Sequence, residues 1–294
     1  MRRKRQPGKR PKGIITRGRV ARKIALTMML PMRRLPRREP PGILGDEHTA
    51  ITYVGHATTL IQTGGMNVLT DPIYSRRILL LRRLVEPGLP FDHLPKLDFV
   101  LLSHAHMDHC DLPTLRRLPK HTPVICPRNV GDLPRKAGLK EVIELAHHEH
   151  VDMGSLRVTS LPVRHFGHRY FHDTYRGYSA FLVEGGSKSV FFGGDTAYDE
   201  RFKEIGRKHK VDIAVLPIGA YKPDTFRAVH CNPQDAVKIF HDLKAKWLVP
   251  IHWGTFVLSY EPVEEPIEWL SAIRDHEALG DRVAILRHGE TQIF

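Results

Sequence analysis

Short β-type runs of apolar and polar residues begin near residue 50, and glycine-containing turns separate them. The runs at residues 51–54, 59–62 and 67–70 follow one another closely, which predicts an antiparallel meander. Residues 98–103 form a nearly continuous apolar run, which is typical of a strand buried on both faces. Further strands are predicted at residues 123–126, 142–145, 156–163, 178–183, 189–192, 213–217, 247–251 and 283–287.

Helices are predicted at residues 112–118, 233–243 and 266–278. The second of these has Asn232 as its N-cap and Pro233 at its first helical position, and its apolar residues recur at helical spacing. Strands and helices come in two successive batches rather than in strict alternation. This order predicts an α/β fold built as a layered sandwich, not a barrel.

The composition is that of a globular protein. The chain has 294 residues, of which 41% are hydrophobic and 26% charged, enough for one large α/β domain or two small ones. No apolar run approaches the roughly 18 residues that span a bilayer. Three cysteines at unrelated spacings predict no disulfide framework and fit a reducing compartment. We therefore expect a cytoplasmic location, with peripheral membrane contact left open.

The net charge of +13 is concentrated at the N-terminus. Residues 1–40 hold 15 of the 45 Lys and Arg residues but one of the 32 acidic residues, so the remainder is nearly neutral. We predict a basic, disordered arm over residues 1–45 and one folded domain over residues 46–294.

Three roles remain open for this arm. It is a solvated tail, or it docks on an anionic membrane through the apolar insert at residues 24–30, or it binds nucleic acid non-specifically. Nucleic acid is disfavoured as a partner, because the rest of the chain is nearly neutral and shows no basic stripe with interleaved aromatic residues.

A dense cluster of ligand-type side chains follows the strand predicted at residues 98–103. His104, His106, Asp108 and His109 lie within six residues, at the point where a strand delivers its loop to the rim of a sheet. Imidazole and carboxylate suit zinc best, although iron and manganese use the same ligands. A buried structural cluster would need a hydrogen-bond partner for every group, so the pattern predicts a metal site.

Three later strand ends supply further candidate ligands. Asp195 follows two glycines that let the backbone approach closely, and one such carboxylate can bridge two cations. His252 ends the strand at residues 247–251, and His165 follows the strand at residues 156–163, with His168 as the alternative ligand there. We expect one metal to be held by Asp108, His109, Asp195 and His252, and the other by His104, His106, His165 and Asp195.

The pattern His-x-His-x-Asp-His at residues 104–109 resembles the signature of the metallo-β-lactamase superfamily. That resemblance implies a four-layer αββα sandwich with a dinuclear site at one edge. Within the superfamily the chain is most similar to the N-acylphosphatidylethanolamine-hydrolysing phospholipase D group, over residues 50–260. The similar segments are residues 53–58, 69–75, 192–196, 216–223 and 251–256.

The resemblance also implies roles for individual residues. A histidine of the family matches His230, which is either catalytic or a loop residue before a helix. Apart from the resemblance, Asp71 in its Thr-Asp-Pro turn is expected to orient a ligand histidine, and His56 either does the same or packs in its loop. Two zinc ions per chain are implied, with iron or manganese as alternatives. The implied metal ligands are His104, His106, Asp108, His109, His165, Asp195 and His252.

The chemistry that the resemblance implies is hydrolysis of a phosphodiester by a metal-bridging hydroxide, with N-acyl phosphatidylethanolamine-like lipids as substrates. Asp108 would orient the nucleophile and shuttle its proton, and His230 or Tyr221 would protonate the leaving group or hold phosphate. The alternative is a lactonase or other C–O hydrolase acting on a small phosphorylated metabolite. A non-catalytic binding protein is a third hypothesis, which seven intact ligands disfavour.

The chain departs from the phospholipase group at three places. Met107 stands where the group has an aromatic residue, the N-terminal arm does not align, and the loop after Asp71 differs. These surfaces would contact the variable part of a substrate.

Overall fold

The computed structural model describes residues 31–36, 38–40, 42, 45 and 47–294. Its α-helices are α1 (Leu112–Leu115), α2 (Asp132–Lys136), α3 (Arg201–Lys208), α4 (Pro233–Asp242) and α5 (Glu265–His276), and 3-10 helices cover Phe91–His93, Asp224–Ala228 and Gly280–Arg282. Its strands are β1 (Thr49–Gly55), β2 (Thr58–Thr63), β3 (Met66–Thr70), β4 (Arg77–Ile78), β5 (Leu81–Arg82), β6 (Phe99–Leu101), β7 (Val124–Pro127), β8 (Val142–Leu145), β9 (His150–Met153), β10 (Leu156–Leu161), β11 (Ala180–Glu184), β12 (Val190–Phe192), β13 (Ile213–Pro217), β14 (Trp247–Ile251) and β15 (Thr291–Ile293).

The strands form two mixed sheets and one small hairpin. The first sheet has the order β15-β1-β2-β3-β6-β7-β8, and the second has the order β14-β13-β12-β11-β10-β9. Strands β3, β6, β7 and β8 run parallel to one another, and so do β12, β13 and β14. The hairpin pairs β4 with β5 alone.

Three apolar clusters separate four layers of structure. The two sheets face each other across the first cluster, which joins Ile51 and Phe99 of one sheet to Phe181 and Val215 of the other. Helices α3, α4 and α5 cover the outer face of the second sheet. Helices α1 and α2 cover the outer face of the first sheet. The predicted αββα sandwich is confirmed.

Strand β11 shows why these segments read as continuous apolar runs. Phe181 and Val183 point into the layer between the sheets, whereas Ala180 and Leu182 point into the helical layer. Side chains alternate between the two faces of a strand, and both faces of this strand are covered. Every position from Ala180 to Val183 is therefore apolar and buried.

Helix α4 begins as the sequence predicts. The Asn232 side chain accepts a hydrogen bond from the Asp235 amide at 2.8 Å, and the Asp235 carboxylate accepts one from the Asn232 amide at 3.3 Å. This reciprocal cap, with Pro233 in the first turn, satisfies two amide groups that a helix start leaves without partners.

The strand predicted at residues 283–287 is wrong. Val283 makes a single bridge to Leu248, and the chain then crosses the end of the second sheet. The Ala284 amide also donates to the Leu248 carbonyl at 2.8 Å, but residues 284–287 form no strand. The last strand is β15, which pairs antiparallel with β1. Helices α2 and α3 and strands β4, β5, β9 and β15 were not predicted.

Part of the N-terminal arm packs on the domain. The Arg33 amide donates to the Leu84 carbonyl at 2.8 Å, and the Glu86 amide donates to the Arg33 carbonyl at 3.0 Å. The Glu39 carboxylate lies 2.7 Å from Nδ1 of His93. Arg33 and Glu39 thus contact the folded domain, although both lie before the boundary predicted at residue 45. Residues 1–30, including the apolar insert at 24–30, lie outside the described residues.

No helix among the described residues has the length and apolar character needed to cross a bilayer.

Candidate metal centre

The candidate ligands lie where strands of both sheets end. Strand β6 leads into His104, β10 into His165, β12 into Asp195 and β14 into His252. Strand β10 runs in the same direction as β12 and β14, because it is antiparallel to β11 and β11 is antiparallel to β12. These strand ends meet at one edge, where an antiparallel bridge between His104 and Tyr178 joins the two sheets.

One group of ligand atoms comes from His104, His106, His165 and Asp195. These atoms all lie within 4.8 Å of one another. Nε2 of His104 is 2.7 Å from Nδ1 of His106, and Nε2 of His165 is 3.3 Å from the same atom. Three imidazoles and one carboxylate can thus reach a single ion.

A second group lies beside the first. Oδ2 of Asp108 is 3.5 Å from Nε2 of both His109 and His252. Oδ2 of Asp195 lies 3.2 Å from Nε2 of His109, 3.3 Å from Nε2 of His252 and 4.0 Å from Nε2 of His165. Asp195 therefore stands between the two groups, in the position that a bridging carboxylate needs.

The donors at this site fit metal ions. Among the described residues, several buried nitrogen and oxygen atoms here have no hydrogen-bond partner, including Nε2 of His109, Nε2 of His252 and Oδ1 of Asp195. Buried polar atoms without partners cost free energy, and native proteins rarely contain several together. Cations held by these atoms would satisfy all of them, and imidazole with carboxylate is a set that zinc and iron accept.

The charges of the group support the same conclusion. Burial raises the pKa of Asp195, but nearby His252 and His109 outweigh burial and hold that pKa well below its usual range. The pKa of Asp108 is held low in the same way, chiefly by His109. Burial opposes charge on His252, yet Asp195 and Asp108 raise its pKa to about 9. Both carboxylates are therefore anionic and attract positive charge.

Asp71 orients candidate ligands of both groups. Its Oδ2 atom accepts a hydrogen bond from Nδ1 of His109 at 2.7 Å and one from the Ser103 hydroxyl at 2.5 Å. The Ser103 oxygen in turn lies 2.8 Å from Nδ1 of His104. Because Nδ1 carries the proton in each ring, Nε2 is left with its lone pair facing the site.

Other contacts hold the remaining ligands in place. Nδ1 of His165 donates to the Val229 carbonyl at 2.8 Å, which again leaves Nε2 for an ion. Nε2 of His56 lies 3.0 Å from Oδ2 of Asp108. Arg169 donates to the carbonyls of Ala105 at 2.9 Å and Cys110 at 2.8 Å, so one guanidinium fixes both ends of the ligand-bearing loop.

Gly194 lets Asp195 approach the first sheet. Its φ is +55°, and a Cβ atom at this position would lie 2.4 Å from Cβ of Ser103. That spacing is well inside van der Waals contact, so a side chain here would separate Asp195 from the loop that follows β6. The Gly-Gly-Asp sequence is thus explained by close approach, as well as by a left-handed turn.

The structure brings most of the predicted residues together. His165 lies among the ligand atoms, while the alternative His168 stacks on Phe166 with ring centroids 4.5 Å apart and belongs to no ligand group. His230 places Nδ1 3.5 Å from Oδ2 of Asp195, and its side chain is 15% exposed. Asp71 contacts Nδ1 of His109, whereas His56 has a ligand-type atom within 4.8 Å of those of Asp108, His109 and His252, so the structure places it inside the second group.

Tyr221 does not reach the site surface. Its side chain is fully buried, and its hydroxyl donates to Oε1 of Glu265 on helix α5 at 2.8 Å. The role predicted for Tyr221, contact with substrate phosphate or leaving group, is therefore not supported. Sequence reasoning also missed two supporting residues, Ser103 and Arg169. A serine at the end of a buried strand, just before a ligand histidine, was a usable signal for Ser103, whereas nothing in the sequence marked Arg169.

Comparison with known proteins gives a consistent result. The family described as "Beta-lactamase superfamily domain" matches residues 66–253. An uncharacterized protein of Mycobacterium tuberculosis is 34% identical over 264 residues, covering 84% of this chain and 70% of the relative. The N-acyl-phosphatidylethanolamine-hydrolyzing phospholipase D 1 of Caenorhabditis elegans is 32% identical over 246 residues, covering 76% of this chain and 69% of the relative.

Solved structures with this fold are more distant in sequence. An isothiocyanate hydrolase from Delia radicum gut bacteria superposes with a TM-score of 0.66 at 20% identity, covering 83% of this chain and 98% of that one. CmlA, a diiron beta-hydroxylase from Streptomyces venezuelae, superposes with a TM-score of 0.63 at 21% identity, covering 87% of this chain and 55% of that one. At these identities the likeness establishes the fold alone. With the family match and the relatives above 30% identity, it follows that the chain belongs to the metallo-β-lactamase superfamily, as a metal-dependent hydrolase.

Proposed function

We propose that this metal-dependent hydrolase is a zinc phosphodiesterase of phospholipase D type that acts on N-acyl phosphatidylethanolamine-like lipids. The observation that carries the proposal is the position of Asp195, whose Oδ2 atom lies within 3.2–4.0 Å of ligand nitrogens from both groups. Two ions about 3.5–4 Å apart are the usual arrangement for in-line displacement at phosphorus. The relative in Caenorhabditis elegans carries the name of this activity.

In the proposed reaction, bound metal ions and side chains of the protein have different roles. Two bound ions would supply water activation at neutral pH and would neutralise charge that develops on the phosphoryl oxygens. Asp108, with 16% of its side chain exposed, faces both the second ligand group and solvent, so it is placed to orient the attacking water and accept its proton. His56, 3.0 Å from the Asp108 carboxylate, fixes the direction in which Asp108 points.

His230 is the residue we assign to the leaving group. It lies beside Asp195 without being part of either ligand group, and its side chain retains some exposure. Its Nδ1 atom has no hydrogen-bond partner among the described residues. An imidazole at the open side of the site can donate a proton to a departing alcohol or hold a phosphoryl oxygen.

The wall beside the metal loop suits a lipid. Met107, inside the ligand motif, packs against the buried cluster of Ile73, Ile78 and Phe256. An apolar surface next to the ligands favours a substrate that carries hydrocarbon close to its phosphodiester. This is the surface at which the chain departs from the phospholipase group, so it is where substrate selection is expected to differ.

Direct hydrolysis assays test the proposal. The purified full chain, loaded with zinc, is offered N-acyl phosphatidylethanolamine, bis(p-nitrophenyl) phosphate and a panel of lactones. We expect release of phosphatidic acid and N-acylethanolamine, and cleavage of the phosphodiester dye. Lactone turnover with no phosphodiester cleavage would identify the alternative C–O hydrolase and refute the proposal.

Two variants and one measurement sharpen this test. Asp108→Asn should lower kcat on both phosphodiesters by roughly 100-fold or more, because the group that orients water and accepts its proton is lost. Asp152→Asn, at an exposed carboxylate that pairs with Arg157, is the matched control and should leave kcat unchanged. Metal analysis of active protein should give two zinc ions per chain. Full activity with iron and none with zinc would refute the choice of metal.

A further inference from the structure

The β4–β5 hairpin exposes two large apolar side chains. Leu79 and Leu80 form its tip, and each is 73% exposed. Leu79 has a φ of +51°, a left-handed conformation that glycine and asparagine adopt far more readily than leucine. If folding stability alone determined the residues at the tip, polar residues or glycine would be expected there. Leucine at this position gains no burial and adopts an unfavourable backbone conformation.

The base of the same hairpin is anchored beside the metal loop. Ile78 is 8% exposed and packs with Ile73 and Phe256, and Met107 packs against this cluster. Arg83, which is 1% exposed, donates to the Ile73 carbonyl at 2.5 Å and lies over the Phe256 ring at 5.0 Å. The exposed tip is therefore held by a rigid base, next to the candidate ligands.

Positive charge adjoins the apolar tip. Arg76 and Arg77 are exposed, and neither forms an ion pair within the part of the chain that the structure describes. Arg82 stands on the other strand of the hairpin, across from Arg77. Cationic side chains flanking exposed leucines complement a surface with acidic headgroups outside and hydrocarbon beneath.

A second exposed apolar segment is tied to the same loop. Phe171 is 99% exposed, and Tyr170 beside it is 47% exposed. Arg169 ties this segment to the ligand-bearing loop through the carbonyls of Ala105 and Cys110. Both projections are thus fixed to residues 104–110, the loop that carries the candidate metal ligands.

We propose that the β4–β5 hairpin docks this protein on an anionic lipid bilayer, with Leu79 and Leu80 inserted at the boundary between headgroups and acyl chains. Arg76 and Arg77 contact the acidic headgroups, and Phe171 makes a second apolar contact. The inference extends the proposed lipid activity by naming the surface through which the site meets its substrate. It assigns a membrane contact to the folded domain.

Vesicle sedimentation with the full-length chain tests the proposal. Wild type is mixed with vesicles of phosphatidylcholine and phosphatidylglycerol, and separately with phosphatidylcholine alone. The double variant Leu79→Ser with Leu80→Ser should bind the mixed vesicles at least roughly 30-fold more weakly, because two leucines no longer leave water. Arg76→Gln with Arg77→Gln should weaken binding to the mixed vesicles roughly 10-fold and leave binding to neutral vesicles unchanged.

The control variant is Ile293→Ser. Ile293 is 47% exposed on the edge strand β15, outside both projections, so its replacement should not change vesicle binding. Thermal midpoints and metal content, measured for every variant, show that the fold is retained. Because Leu79 and Leu80 contribute little burial, the double variant should match wild type in both measurements.

Several results would overturn the proposal. Wild type that fails to sediment with mixed vesicles, or a double leucine variant that sediments like wild type, would exclude the hairpin as the docking site. A wild-type dimer that the leucine substitutions dissociate, without vesicle binding, would make the tip a contact between copies. If wild type binds vesicles through the hairpin but cleaves neither lipid nor soluble phosphodiester, the proposed activity is refuted while the docking proposal stands.

Discussion

Asp71 is the residue whose replacement most directly tests how the candidate metal centre is organised. Its Oδ1 atom accepts from the Ser103 amide at 2.7 Å, and its Oδ2 atom accepts from Nδ1 of His109 and from the Ser103 hydroxyl. Asp71→Asn keeps the size of the side chain. The φ of +32° at this position is also one that asparagine tolerates. The substitution therefore changes hydrogen bonding with little change in backbone strain.

An asparagine amide cannot satisfy all three donors. If its nitrogen takes the Oδ1 position, it faces the Ser103 amide, and an unsatisfied buried donor costs about 1–3 kcal/mol of folding stability. If its nitrogen takes the Oδ2 position, it faces Nδ1 of His109, and that ring must move its proton to Nε2. The His109 lone pair is then lost to the metal. Disrupted outer partners of ligand histidines typically lower metal affinity about 10- to 100-fold, or about 1.4–2.7 kcal/mol.

Competition against a chromophoric zinc chelator at fixed pH measures the two stepwise dissociation constants. We expect Asp71→Asn to weaken at least the ion held by His109, with the thermal midpoint of the metal-free protein recording any cost to folding. Ser103→Ala provides the matched comparison, because it removes the link to His104 and leaves the Asp71–His109 contact intact. That variant should weaken the ion held by His104 and spare the other.

One outcome would refute this reasoning. If Asp71→Asn changes neither dissociation constant and leaves the thermal midpoint of the metal-free protein at the wild-type value, then Asp71 does not fix the orientation of His109. Equal weakening of both ions by Ser103→Ala would likewise contradict a separate route from Asp71 to each group.

Four further predictions rest on the contacts at the site. Gly194→Ala should have a lower thermal midpoint than Gly280→Ala in differential scanning fluorimetry. Both glycines have a positive φ, but of the two only Gly194 has a neighbour that an added Cβ would clash with. Arg169→Met should weaken metal binding by freeing both ends of the ligand loop, and unchanged chelator competition would contradict it. Asp195→Ala should abolish binding of both ions and turnover, so retained activity would disprove its bridging position. Exhaustive chelation of wild type should remove hydrolysis, and two equivalents of zinc should restore it.

The position of the metal centre was predictable from sequence for a specific physical reason. Strands buried on both faces leave long apolar runs, and a polar residue that ends such a run marks the sheet edge. His104, Asp195 and His252 each follow a run of this kind, so their convergence could be predicted before the fold was known.

Other features of the fold and site depend on tertiary contacts, which the hydrophobic pattern of a single sequence does not reveal. Helix α3 carries five charged residues beside its buried Phe202 and Ile205, so its apolar stripe is too short to stand out. Tyr221 matched a family segment, yet its hydroxyl is directed into the core by Glu265, which is 44 positions away in the chain. The segment at residues 283–287 has the apolar content of a strand, yet its pairing with β14 is the single bridge between Val283 and Leu248.

The segment after β3 contributes to three features of the molecule: the metal centre, the apolar cluster beside it and the exposed hairpin tip. Asp71 orients His109, Ile73 packs in the cluster that Met107 contacts, and two residues at the hairpin tip stand exposed. The buried guanidinium of Arg83 binds the Ile73 carbonyl, and burial lowers its pKa to about 10. Burying a charged group is costly unless polar partners surround it, so its presence beneath this segment argues that the segment's geometry is functionally required. Because Met107 lies in the ligand-bearing loop and packs against the base of the hairpin, a lipid bound at the tip would lie close to that loop.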